Sequence, residues 1–266
     1  WREDEFSDGT APERNKVLHA MIGVDEDPIE DVKACVGVYH GMVRFLDDGV
    51  GQILDALDRL NLRENTIVIF CADHGDFSGE HGQIAKGGAF YDCLTRVPLI
   101  ASWPGHIPAG IVDESCVNLI DIVPTILELQ GIEVPESMHG EGLPHATNTA
   151  PRDAAFSEYG AGGPAFTMED LQQIDKPWGR KAVLSSLQAR EAEGRRKMVR
   201  TTDWKYVHDP MGDKDELYDL VNDPSELYNI IDHAEHRAIV ADLRLKLADW
   251  SIRFEDAKPV PLPGGI

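Results

Sequence analysis

Apolar residues recur at spacings of three and four from Val32 through Val36, Tyr39, Val43, Leu46, Val50, Ile53 and Leu57 to Leu60. That period predicts one long amphipathic helix. Pro28 suits its first turn, because the ring fixes φ where no amide donor is needed, and the pattern closes near Asn61. After a short polar turn, the β-branched run Thr66-Ile67-Val68-Ile69-Phe70 predicts a buried strand at 66–71. A second apolar run covers 97–103; its Pro98 cannot donate to a sheet ladder and marks a strand start or an edge. Asp121 is a candidate N-cap for a helix over Ile122–Leu129, with Gly131 at its stop. Helix followed by strand is a step of an α/β sheet.

Beyond these elements the pattern changes. Residues 1–27 are polar, acidic and irregular, and predict a loop. Residues 131–153 are rich in Gly, Pro, His and Thr and predict a loop and a boundary. Short strand candidates then fall at 154–159, 197–201, 205–208 and 216–220, with a turn at Asn222-Asp223-Pro224. Ile239, Leu243, Leu247 and Trp250 give helical periodicity over 234–254. The expected organisation is an α/β portion at 1–150 and a smaller α+β subdomain at 151–266, a short antiparallel sheet with a packing helix. The stretch 190–196 reads as a solvated loop or helix face.

Composition narrows the classes. A chain of 266 residues, 42% hydrophobic and 27% charged, can bury a sizeable core as one large domain or two unequal ones. No apolar run approaches the roughly 20 residues that cross a bilayer, so a soluble protein without a membrane span is expected. The start, Trp1-Arg2-Glu3-Asp4-Glu5-Phe6, has neither the basic end nor the apolar centre of a signal peptide, and the location stays open. A net charge of −22 argues against a nucleic-acid partner. For an anionic ester, a bound cation and a few placed basic groups would have to reverse the local field. Cys35, Cys71, Cys93 and Cys116 show no CxxC spacing and are expected to be free and mostly buried.

Candidate chemistry gathers behind the first strand, in Cys71-Ala72-Asp73-His74-Gly75-Asp76. Ligands of open α/β sheets sit at the carboxyl ends of strands. Asp73 offers a hard anionic oxygen and His74 an imidazole nitrogen. Adjacent residues of a strand face opposite ways, so both reach one ion only if the chain turns, which Gly75 permits. Read alone, the pair equally describes a turn-capping Asp and a hydrogen-bonded core His. Lys86 follows His74 by twelve residues, after a Gly-rich loop.

With Gly79-Glu80-His81-Gly82, Lys86-Gly87 and Arg96-Val97-Pro98-Leu99 added, this segment resembles the sulfatase family of the alkaline-phosphatase-like superfamily. Two other places resemble it, in the expected order. One is Tyr39-His40-Gly41-Met42-Val43 with Leu46-Asp47-Asp48-Gly49-Val50-Gly51. The other joins residues 198–206 to Glu216-Leu217-Tyr218-Asp219-Leu220, and the likeness covers about 30–255 in all. The resemblance implies an α/β sandwich with a mainly parallel sheet, Asp73 and His74 as two ligands of a divalent cation, and Lys86 as a catalytic cation facing the ester. Calcium is the first expectation, with manganese or zinc as alternatives because His74 supplies nitrogen, and magnesium as a further alternative. His81 is expected to order the loop, with a weaker claim to substrate contact.

Sulfatases attack sulfur with a formylglycine made from Cys or Ser. The Cys-x-Pro-x-Arg or Ser-x-Pro-x-Arg signature that carries it does not occur in this chain. The resemblance therefore implies that the chain supplies part of a site, is inactive alone, and has the remaining amino-terminal half of the same enzyme as its partner. The implied substrate is a small-molecule or carbohydrate sulfate ester. A phosphonate monoester or phosphodiester hydrolase, and a non-catalytic module, are the alternatives. His139, His145, Tyr159 and Trp178 fall in loop-rich sequence where specificity could reside.

Overall fold

The computed structural model describes residues 1–160, 167–173 and 195–254; Trp178 and most of the 190–196 stretch lie outside them. Helices α1 (Glu13–Ile22) and α2 (Ile29–Arg59) precede strand β1 (Val68–Cys71). Two short strands, β2 (Phe77–Ser78) and β3 (Ile84–Ala85), a single turn α3 (Asp92–Thr95), strand β4 (Leu99–Ser102) and helix α4 (Ile122–Leu129) follow. Strand β5 (Ala155–Tyr159), helix α5 (Met168–Gln172), strands β6 (Arg196–Arg200), β7 (Trp204–His208) and β8 (Glu216–Asp219), and helix α6 (Arg237–Arg253) complete the order.

The α/β portion contributes β1 and β4, which pair antiparallel with Val68 opposite Ser102 and Cys71 opposite Leu99. The parallel arrangement expected for this sheet is not the one these two strands make. A parallel partner needs a crossover to the far end of the strand. Here residues 72–98 leave and return at the same end, because that excursion carries the loop with Asp73, His74 and Lys86.

The four later strands form an antiparallel meander in the order β5-β6-β7-β8. Side chains alternate between its faces. Val199, Tyr206 and Leu217 point to one face and pack with Leu243 and Leu247 of α6. Trp250 of that helix stacks on Phe156, ring centroids 5.0 Å apart. Met198 and Val207 point to the other face, where they meet Phe90, and Tyr218 there joins Leu18, Phe77, Tyr91 and Leu94. This second face therefore supports the segment that carries the candidate site.

Charges are mixed into that supporting layer. Lys205, fully enclosed, donates to the carboxylate of Asp92 (2.6 Å) and the carbonyl of Phe90 (2.8 Å), and pairs with Glu226. Arg200 also bonds Asp92 (3.1 Å). Glu216 accepts from Asn15 (3.0 Å) and from the Tyr218 hydroxyl (2.7 Å). Burial pushes the carboxyls of Glu216 and Glu226 above their usual range. Burial acts the same way on Asp92, but Lys205 and Arg200 override it and hold that carboxyl below its usual value. An acid whose folded pKa is raised adds stability as pH falls through that pKa; one whose pKa is lowered loses it only when pH falls below the ordinary carboxylate range. Melting temperature is therefore expected to rise from neutral to mildly acidic pH, then fall at more acidic pH as Asp92 protonates. Glu216→Gln should flatten the rise in a calorimetric pH series, and an unchanged rise would contradict the assignment.

Three expectations need correction. Residues 13–22 are helical, not loop: Asp213 accepts the amides of Glu13 and Arg14 (3.0 Å each), and Arg14 forms a buried pair with Asp209 at 2.6 Å. These partners lie about 200 positions away, so no local signal announced the helix. Asp121 stands at the N-cap position of α4, but its side chain caps none of that helix's amides. It sits at the third position of a preceding 3-10 turn, taking the amide of Asn118 at 2.7 Å and pairing with Arg152. The four cysteines are free, as expected, but Cys116 alone among them is buried. Cys35 lies on α2 and Cys71 at the end of β1, both on uncovered surface, while half-buried Cys93 has its thiol pushed up to about 12 by burial.

The uncovered surface is extensive. Helix α2 forms as its period predicts, yet Val32 is its one buried residue. Val43, Leu46 and Ile53 of its apolar row are exposed, as are Phe70 of β1 and Ile100 of β4. Among the described residues, no helix is long and apolar enough to cross a membrane.

Candidate active site

Strand β1 ends at Cys71, and the chain turns sharply over Asp73, His74 and Gly75. The turn is fixed by backbone packing. The Gly75 amide donates to the carbonyl of Leu94 (2.8 Å), and a β-carbon on Gly75 would stand 1.8 Å from the carbonyl oxygen of Cys93. Only glycine fits so close to another backbone. This turn lets two consecutive side chains face each other, with Asp73 Oδ2 3.6 Å from His74 Nε2.

The other ring nitrogen of His74, Nδ1, lies 2.9 Å from the carbonyl oxygen of Gly75. A carbonyl can only accept, so Nδ1 carries the hydrogen and the lone pair stays on Nε2. Lys86 Nζ donates to that lone pair at 2.9 Å. Asp73 is exposed, and the amide of His74 bonds its carboxylate at 3.0 Å. That bond comes first in lowering its pKa, with the charge of Lys86 a smaller cause. The carboxylate is thus ionised and open to a ligand.

Three of the four expected site residues meet here. The donor set fits a divalent cation: an anionic oxygen and a nitrogen lone pair stand side by side, already facing one cationic group. The carbonyl contact of His74 is the kind that fixes the tautomer of a metal-binding imidazole.

His81 is placed differently. Its ring is 3% exposed, takes a hydrogen bond with Glu5 at 2.6 Å and stacks on Tyr91 with centroids 3.6 Å apart. It stands in the left-handed region (φ 54°), between Gly79 and Gly82, which also have positive φ. Direct substrate contact does not suit a ring so enclosed, whereas ordering of the loop does. Glu80 helps the same loop by accepting the amide of Ser78 at 2.5 Å. Sequence reasoning missed Glu5, Gly75 as a packing glycine, and Lys205 with Asp92. For Gly75 the signal was present, a glycine directly after two candidate ligands; for Glu5 and Lys205 there was none.

Residues 3–132 match the family model described as Sulfatase. Arylsulfatase K of Rattus norvegicus is 34% identical over 183 residues, which cover 68% of this chain and 28% of the relative. An N-acetylglucosamine-6-O-sulfatase of Bacteroides thetaiotaomicron is 28% identical over 224 residues, 83% of this chain and 36% of the relative. The solved phosphonate monoester hydrolase of Agrobacterium radiobacter superposes with a TM-score of 0.75 at 28% identity, over 95% of this chain and 49% of that one. The chain spans well under half the length of the curated relatives it matches.

Fold and relatives define the class: an α/β protein of the alkaline-phosphatase-like superfamily. Within it, this chain belongs to the sulfatase family. Members of that family typically use a divalent metal.

Proposed function

We propose that the protein is a sulfuric ester hydrolase, and that residues 1–266 supply one part of its active site. The observation that carries this reading is the meeting of Asp73, His74 and Lys86 at the end of β1, through the 3.6 Å and 2.9 Å contacts. Asp73 and His74 would hold the divalent cation. When bound, such an ion polarises the ester oxygens and orients reacting groups. Calcium is the expectation from the sulfatase resemblance; the nitrogen of His74 keeps manganese and zinc as the alternatives, with magnesium less suited to it.

Lys86 places a positive charge where an anionic ester would sit, in a chain whose net charge is −22. A cation preset there favours negative charge as it develops on departing oxygen. His81 and Glu5 act beneath, holding the loop that presents Lys86. Under this reading 1–150 is the carboxyl-terminal portion of the catalytic domain, and 151–266 is the subdomain that supports its loop. A formylglycine nucleophile would come from sequence outside residues 1–266, which contain no Cys-x-Pro-x-Arg. The remaining half of the same enzyme would cover the exposed row of α2 with Phe70 and Ile100, as large uncovered apolar patches mark contact surfaces. A sulfated small molecule or sugar is the proposed substrate, the sugar being favoured by the hexosamine sulfatase among the relatives.

His74 and the likeness to a phosphonate monoester hydrolase also favour a second reading, phosphonate or phosphodiester hydrolysis. The test is turnover by the intact protein of an aryl sulfate, a 6-sulfated glucosamine and a phenylphosphonate monoester, with each metal. Sulfate turnover should dominate, and Lys86→Ala should lower its kcat about 100- to 1000-fold, the size seen when a charge-stabilising donor is removed. Dominant phosphonate turnover would establish the second reading, and unchanged kcat in Lys86→Ala would remove the assigned role.

A further inference from the structure

The segment His233-Ala234-Glu235-His236 leads into α6, on the opposite side of the four-stranded sheet from Asp73 and His74. Residues Ala234–His236 form a 3-10 turn, in which the His236 amide bonds the His233 carbonyl at 3.1 Å. Side chains three apart eclipse in that geometry. The two imidazoles accordingly lie nearly parallel, centroids 6.1 Å apart and planes 14° from each other. Glu235 comes within 3.7 Å of His233 Nδ1. One donor atom from each of the three lies within 4.8 Å of the others. His236 is half-buried, held by the indole of Trp204 at 5.4 Å, while His233 and Glu235 are exposed.

We propose that His233, Glu235 and His236 form a second, surface metal site for an imidazole-preferring divalent ion such as zinc. Two nitrogens and one carboxylate oxygen are a donor set that zinc accepts, with a fourth tetrahedral position left to water or an outside ligand. At zinc bond lengths, donors stand about 3.4 Å apart. Exposed His233 and Glu235 can rotate to close that gap onto the anchored ring of His236. The amino end of a helix disfavours cations, and two negative groups offset it. Glu235 does so as a ligand. Asp219 does so as a neighbour of His236, its Oδ1 already engaged by the amides of Val221 and Asn222 and its Oδ2 by the Asn222 side chain. Bound zinc would cross-link the turn that leads into α6 and so stiffen the entry to the helix that closes one face of the sheet.

The test is a zinc titration of the intact protein after metal stripping, followed by calorimetry and by competition with a chromophoric chelator. The parent, His74→Ala, His233→Ala and His236→Gln proteins are compared. A zinc-binding event should survive in His74→Ala and weaken at least tenfold in His233→Ala and His236→Gln. Metal-free melting temperatures should match the parent's, since exposed His233 supports no core and glutamine retains contact with Trp204. Zinc should also raise the melting temperature of His74→Ala through linkage, and should raise that of His233→Ala and His236→Gln less than the parent's. An isotherm unchanged in both variants, or a parent whose only zinc event disappears with His74→Ala, overturns the proposal.

Discussion

Gly75→Ala is expected to weaken divalent-cation binding at Asp73 and His74 at least tenfold, and to lower ester turnover by the intact protein about 100-fold. The added methyl would stand 1.8 Å from the Cys93 carbonyl oxygen and 2.9 Å from its carbon, both main-chain atoms that no rotamer change removes. Relief must come from moving one of the two segments. Leu94, next to Cys93, is buried against Phe77, Tyr91 and Tyr218, so the turn at 73–75 is the part that yields. Its movement strains both anchors, the amide bond to Leu94 and the carbonyl that fixes the tautomer of His74. Overpacking of this kind costs about 1–3 kcal/mol, too little to unfold the four-stranded sheet. The signature is therefore a lost site in a folded protein. Calcium and manganese titrations alongside a melting curve check it, and parental affinity in the variant would refute it.

What the chain declares about itself depends on the range of the interactions. The periodic row of α2, the β-branched run of β1 and the four short strands of the meander are local patterns, and each forms within a few residues of its expected bounds. Helix α1 is held by Asp213 and Asp209, and an acidic, polar stretch gives no hint of such distant anchors. The same holds for the site. Asp73, His74 and Lys86 were legible from residue type, spacing and resemblance, but the lone pair of His74 Nε2 aimed at Lys86 is a product of the Gly75 turn. Lys205 was illegible for another reason. A lysine in a strand normally marks the solvent face; here the alternation of β7 turns it inward, toward a carboxylate from α3. Burial, finally, could not be read from α2 at all, because an apolar row states that a face seeks cover and not whether these residues provide it.

The largest stability effect is expected at Lys205. Lys205→Met should cost about 3–5 kcal/mol, the usual result of removing one partner from a buried ion cluster. The ammonium is fully enclosed and serves the Asp92 carboxylate, the Phe90 carbonyl and Glu226 together. Asp92 keeps Arg200 when the lysine is gone, whereas Glu226 retains only the Asp92 amide, at 2.5 Å. Glu226 would then be a buried carboxylate without a cation, and its already raised pKa would rise further. The sign of the pH effect follows. Protonation removes the uncompensated charge, so the deficit of Lys205→Met against the parent should shrink as pH falls and be widest near neutrality. Glu226→Gln in the same chain should recover part of the loss, making the double variant more stable than the sum of the single changes predicts. Urea unfolding at two pH values measures all of this; a Lys205→Met protein within about 1 kcal/mol of the parent, where surface substitutions usually fall, would show that the cluster is not a structural support. Activity should respond as well. Phe90 and Asp92 lie four and six residues after Lys86, joined to it through Gly87 and Gly88, where a β-carbon would stand 2.2 Å from the Leu18 side chain and 2.5 Å from the Tyr159 ring. Loosening the anchor beneath Phe90 and Asp92 frees that segment, and with it the one cation that the loop presents to His74.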